Sequence, residues 1–205
     1  MGRPLRVFVP NAIYHVASRG SDKRPIFHQD EDRELFLERL EQTMERFRLP
    51  CLAYCLMNNH YHLVVMTPDA RLSMAMKELN GGYSKRFNEI HGRSAHLFRN
   101  RFMAQLIDGD SYLLTACRYV AHNPVRAGLC RAPSEWSWSS YASTVGIGQA
   151  RRFLDERRLG ELVGGGDGWR DRYRQFVEAD DSVVSPLGHK KLCNGGRLGR
   201  LIEPN

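Results

Sequence analysis

The sequence predicts an α+β fold, an antiparallel β-sheet with helices packed on one face. Three observations predict it. Short apolar or alternating runs mark strands near residues 12–20, 51–57, 60–67 and 101–108. Between them apolar residues recur at three- and four-residue steps, the helical period. The resulting order, strand, helix, strand, strand, helix, strand, helix, is the split β-α-β pattern of a ferredoxin-like sheet.

AIYHVASRG (12–20) alternates and stops at a turn near Ser21-Asp22. From Asp30, which can cap the orphan N–H groups, acidic residues fill a first helical turn, and Leu37, Leu40, Met44 and Phe47 form one stripe that ends before Pro50. CLAYCLM (51–57) and HYHLVVMT (60–67) flank Asn58-Asn59, a pair that tolerates left-handed turn geometry, so they predict a hairpin. Residues 72–92 give a second helix with Leu72, Met76, Leu79, Tyr83 and Phe87 on its stripe, weakened or kinked at Gly81-Gly82 and ended by Gly92. RFMAQLID (101–108) is the fourth strand. Ser111 can cap a third helix with Leu113, Cys117 and Val120 inward, and Pro124 is expected to close it. Beyond about residue 130 the pattern weakens. Trp136, Trp138 and Tyr141 suggest a docked segment, two short helices follow, and GGGDG (164–168) reads as a hinge between them.

A chain of 205 residues with 42% hydrophobic and 26% charged residues has the composition of an ordinary globular protein. It suits one main domain with an appendage, which we place at residues 1–141 and 142–205, the latter a helical extension with a basic, mobile tail. The net charge of +7 is unevenly placed. Residues 71–131 carry ten Lys or Arg against four Asp or Glu, whereas 28–45 carry two against seven. A basic stripe is the footprint of a nucleic-acid binder, although a solvated basic face gives the same count. Cys51, Cys55, Cys117, Cys130 and Cys193 lack metal-knuckle spacing and read as buried thiols of a reducing compartment. No signal peptide or membrane span is visible, so a cytoplasmic, nucleoid-associated protein is expected, with no membrane partner.

The run LMNNHYHLVVMT carries the chemistry. Strand side chains alternate, so His60 and His62 share one face while Tyr61 turns to the other. Two imidazoles opening an otherwise apolar strand need partners, and a metal ion is one candidate. On the third helix Tyr119 and Asn123 stand at i and i+4, offset from the apolar stripe. If that helix crosses the histidine face, Asn123 could supply an oxygen ligand, with His122 its rival, and Tyr119 a nucleophile. Spacing alone is equally satisfied by a packing tyrosine and a C-capping asparagine.

The strings YHVASRG, RPIF, DEDRELFLERL, YCLMNNHYHLVV, LNGGYSKRFN, HGRSAHLFRNRF and YVAHNPVRAGL, in that order across residues 12–141, resemble the REP-associated tyrosine transposases, a branch of the single-tyrosine HUH transposases. The resemblance implies the HUH endonuclease fold. It also implies cleavage and rejoining of single-stranded DNA at hairpin-forming repeats through a 5′-phosphotyrosine. His60, His62 and Asn123 would hold a divalent metal, Mg²⁺ or Mn²⁺, and Tyr119 would attack. Two imidazoles and an amide suit Mn²⁺ better than oxygen-seeking Mg²⁺. Phenols ionise only near pH 10 in water, so the site must orient the hydroxyl and neutralise the phosphate.

Arg86, Arg93, Arg99, Arg101, Arg118 and Arg126 are candidate DNA contacts, Tyr83, Phe98 and Phe102 candidate stacking rings, and Lys190, Lys191, Arg197 and Arg200 a candidate basic arm. Two other readings stay open: a non-catalytic repeat-DNA-binding protein derived from such an enzyme, and a metal-dependent nuclease using water. Monomer and homodimer are both compatible with the sequence.

Overall fold

The fold is built on four strands, β1 (Ala12–Arg19), β2 (Cys51–Leu56), β3 (His60–Thr67) and β4 (Met103–Ile107), in a computed structural model that describes residues 8–179. They form one antiparallel sheet in the order β2-β3-β1-β4, the ferredoxin-like arrangement expected from the element order. Asn58 and Asn59 make the predicted β2–β3 turn, closed by Met57 N–H donating to the His60 carbonyl at 2.8 Å.

Helices α1 (Asp30–Phe47) and α2 (Leu72–Ile90) cover one face, as predicted. Their stripes, including Leu37, Leu40, Leu79 and Phe87, are buried against Tyr14, Val16, Tyr61, Leu63 and Val65 of the central strands. The expectation that all helices share that face fails for α3 (Asp110–Arg126). With the short helices α4 (Tyr141–Thr144), α5 (Glu156–Leu162) and α6 (Trp169–Glu178), it forms a second layer on the opposite face. The cause is visible in the strands: Leu52, Val64 and Ile107 point that way and need cover.

Four local expectations need correction. Pro124 does not close α3, which runs two residues further. A proline there removes one late hydrogen bond only, and the helix ends in a Schellman motif with Gly128 at φ +69, Gly128 N–H donating to the Val125 carbonyl and Leu129 N–H to Pro124. Gly81-Gly82 does not interrupt α2. At Gly82 a Cβ would lie 2.7 Å from an Arg39 guanidinium nitrogen, so the glycine leaves room for the Arg39 side chain that reaches across from α1. Asp30 is not the cap of α1. Asp32 instead accepts the backbone N–H groups of His28 and Gln29 at 2.8 and 3.2 Å. The GGGDG loop is no bare hinge, since the Arg172 guanidinium donates to the carbonyls of Val163, Gly165 and Asp167.

The segment after α3 docks as the tryptophans suggested. Trp136 Nε1 donates to the Leu56 carbonyl at 3.0 Å, Leu56 N–H donates to Trp138, and Ser140 N–H to Tyr54. Asp155 N–H adds a bond to Cys51. The outer edge of β2 is thereby strapped along its length. Cys51, Cys55 and Cys117 are buried free thiols and Cys130 is half-buried; Cys193 and the basic arm of Lys190, Lys191, Arg197 and Arg200 lie outside the described residues.

Candidate active site

The register of the central strands places three histidines, not two, on the face that α3 covers. On β3 these are His60 and His62. On β1 the residues opposite Val64, His62 and His60 are His15, Ala17 and Arg19. Tyr61, as alternation requires, turns into the other core, fully buried, with its hydroxyl donating to Asn80 Oδ1 at 2.7 Å.

Both predicted ligand histidines have the same ring nitrogen engaged. His60 Nδ1 meets Asn59 Oδ1 at 2.7 Å, and His62 Nδ1 meets His15 Nε2 at 2.8 Å. The Nε2 atoms are left for another use. Burial lowers His60 from 6.5 to about 4, helped by the Arg19 charge. It lowers His15 to about 4 and His62 well below its ordinary value, with His15, His60 and Arg19 adding repulsion. All three are therefore neutral at pH 7, the state in which an imidazole can donate a lone pair.

Helix α3 lies across this face. The Tyr119 ring packs edge-on against His62 at 5.8 Å and against His15 at 5.9 Å between centroids. Asn123 Nδ2 donates to the Tyr119 carbonyl at 2.8 Å, an orientation that keeps the side-chain oxygen as its acceptor end. His122 points elsewhere, with Nε2 against the Val177 carbonyl of α6 at 2.9 Å. Arg118, one turn earlier, sits 4.4 Å from the Phe176 ring centroid and donates to the Phe176 carbonyl. One side of α3 thus holds α6 while the side 100° away faces the histidines.

Between α3 and the sheet opens a cavity of about 580 Å³. His15, His60, His62, Tyr119 and Asn123 line it together with Arg19, Arg99, Arg101 and Arg126, and no carboxylate does. The Arg126 guanidinium stands over the Tyr119 ring, 5.0 Å from its centroid. Of the six predicted DNA-contacting arginines, Arg99, Arg101 and Arg126 meet here. Arg86 pairs with Glu89 on the surface of α2, Arg93 packs over Phe87, and Arg118 is spent on α6. Tyr83 and Phe102 are buried in the sheet core, which removes these two rings as base-stacking platforms, whereas Phe98 packs against that core and stays half-buried. His15, Arg19 and Asn59 were not singled out from the sequence. Alternation within AIYHVASRG puts His15 and Arg19 on one face, but which strand that face adjoins depends on pairing across more than forty residues.

The family model described as "Transposase IS200 like" matches residues 8–123. This chain belongs to the IS200-like transposase family. It is similar to a Haemophilus influenzae protein described as a REP-associated tyrosine transposase, at 23% identity over 156 residues, 71% of this chain and 88% of the relative. Among solved structures it resembles a REP-associated tyrosine transposase bound to a REP hairpin, with a TM-score of 0.61 and 17% identity over 76% of this chain and 94% of that one. That likeness is one of fold. No helix among the described residues of this transposase is long and apolar enough to cross a membrane.

A divalent cation can be tested against the donors present. Among the described residues no group of three or more His, Cys, Asp or Glu forms a metal cage, so a site on this face has to draw on another residue type. His60, His62 and Asn123 line one cavity and the imidazoles are neutral, so two ring nitrogens and an amide oxygen make a donor set of the kind a borderline ion such as Mn²⁺ accepts.

Proposed function

We propose that this transposase cleaves and rejoins single-stranded DNA at hairpin-forming repeats through a covalent bond to Tyr119. The observation that carries the reading is the meeting of Tyr119 with the His60 and His62 strand in a cavity lined by four arginines and no carboxylate. The related proteins described as REP-associated, one of them bound to a REP hairpin, support the choice of DNA.

In the forward step the Tyr119 hydroxyl oxygen attacks the scissile phosphorus. The bond to phosphorus forms as the bond to the 3′ oxygen breaks, and the phenol's proton passes through solvent to the departing 3′ hydroxyl. The product is a 5′-phosphotyrosine, whose energy is kept for the reverse attack by a 3′ hydroxyl. A divalent cation held by His60, His62 and Asn123 would neutralise charge at the phosphate and at the leaving oxygen. Arg126 orients the phenol through its stacking, while Arg19, Arg99 and Arg101 hold the phosphates on either side. Tyr119, His60 and His62 of one chain line the same cavity, which supports attack in cis. In this reading residues 1–141 carry the reaction, and 142–205 are an extension whose α6 supports α3. The working compartment is the cytoplasm, at the nucleoid.

The test is a denaturing gel of the full-length protein incubated with Mn²⁺ and 5′- or 3′-labelled single-stranded hairpin oligonucleotides. Wild type forms a denaturation-resistant adduct, and Tyr119→Phe keeps DNA binding but forms none. Cleavage without an adduct would assign the reaction to water, and binding without cleavage would leave a repeat-DNA-binding protein.

A further inference from the structure

His15 has no part in the reading above, yet it is buried in the same cavity wall with a ring nitrogen committed to His62. We propose that His15 is a positioning residue that, together with Asn59, fixes the tautomers of the two ligand histidines so that both present a bare Nε2. The inference rests on the metal-site reading and goes beyond it by naming what prepares the site.

A neutral imidazole carries one proton, and the nitrogen bearing it cannot ligate. If His62 is protonated at Nδ1, it donates to His15 Nε2 over 2.8 Å and its Nε2 lone pair is available. If the donor is His15 instead, the His62 proton sits on Nε2 and the ligand is lost. His60 faces the same choice, and Asn59 Oδ1, an acceptor only, decides it at 2.7 Å in favour of Nδ1–H. Both histidines thus have an Nδ1 partner of their own, from two unrelated places in the chain. Packing does not require this. An apolar side chain at this position, where His15 is 4% exposed, would avoid the cost of burying a second polar ring. The strand geometry also makes room for it. Ala17 is the residue directly across from His62, and its small side chain lets His15 reach His62 along the diagonal with the rings stacked at 4.9 Å and 13°. Metal ligation draws electron density from an imidazole and strengthens its remaining N–H as a donor, so an acceptor at Nδ1 stabilises the bound form.

Two measurements on the full-length protein test the proposal. In the metal-free wild type, nitrogen-15 NMR of the His62 ring reads its tautomer directly; Nδ1–H is expected, and Nε2–H overturns the proposal without any variant. Mn²⁺ affinity is then measured by calorimetry for wild type, His15→Phe, His15→Gln and His60→Ala, with thermal melts to confirm folding. His15→Phe, which keeps an aromatic ring but removes both nitrogens and is somewhat larger, is expected to weaken binding by about 10–100-fold. His15→Gln, which restores an acceptor, should recover most of that loss. Wild-type affinity in His15→Phe, where His60→Ala has lost Mn²⁺, overturns the proposal while leaving the metal site standing. If the wild type itself takes up no Mn²⁺, the metal reading fails, and the tautomer measurement still decides what His15 does.

Discussion

His15 and His60 are held neutral because burial lowers each from 6.5 to about 4, and burial lowers His62 well below its ordinary value too, so mild acid should act on stability through the site itself. The same imidazoles in the unfolded chain take up protons near pH 6.5. Between pH 6.5 and 4 the unfolded state therefore binds more protons than the folded one, and stability falls as pH falls through that window, while above it these groups contribute a constant amount. At pH 5 a group with these two values has lost roughly 2 kcal/mol of its contribution, at about 1.4 kcal/mol for each pH unit below 6.5. Urea unfolding in EDTA at pH 7 and pH 5 measures the loss. The drop should exceed roughly 2 kcal/mol in wild type and shrink in His15→Phe, which removes one of the titrating rings. Equal stabilities at the two pH values, or greater stability at pH 5, would refute the argument that these imidazoles are buried neutral.

Other expectations concern the cleft and the scaffold. Arg99→Ala or Arg101→Ala should weaken oligonucleotide binding and flatten its salt dependence by about 0.7 in log–log slope each, whereas Arg86→Ala, paired with Glu89 away from the cavity, should leave both unchanged in fluorescence titrations. Gly81→Ala meets nothing within 4 Å in the middle of α2 and should raise stability by about 1 kcal/mol in thermal or urea melts. Trp136→Phe removes the bond to the Leu56 carbonyl at the β2 edge and should cost about 1 kcal/mol by the same measurement, with DNA affinity unaltered.

Much of the scaffold was legible because it rests on local periodicity. The stripes of α1, α2 and α3 are buried as their spacing requires, and Tyr61 and His62 part to opposite faces because strands alternate. The meeting of Tyr119 with His62 followed from spacing only as a possibility, since whether α3 crosses that face is a packing outcome. What escaped the sequence is relational. Nothing local says that His15 lies beside His62, that Arg19 stands across from His60, or that Arg118 and His122 turn to α6. Pro124 misled for a different reason: a proline ends a helix by its lost hydrogen bond and its effect on the residue before it, and near the last turn α3 tolerates both.

The strap across β2 makes the sheet's two margins unequal. Residues 138–140 and 155 already occupy the backbone groups on that side, while among the described residues no strand adjoins β4 on its outer side, where Met103 and Leu106 are 41% and 37% exposed. Among the described residues, growth of the sheet by a strand from another molecule, whether an ordered pairing or the first step of a fibre, finds its open margin at β4. A charged substitution meant to keep concentrated preparations soluble therefore belongs at Leu106, which does not line the cavity as Met103 and Gln105 do, and on β2 it would only break the strap.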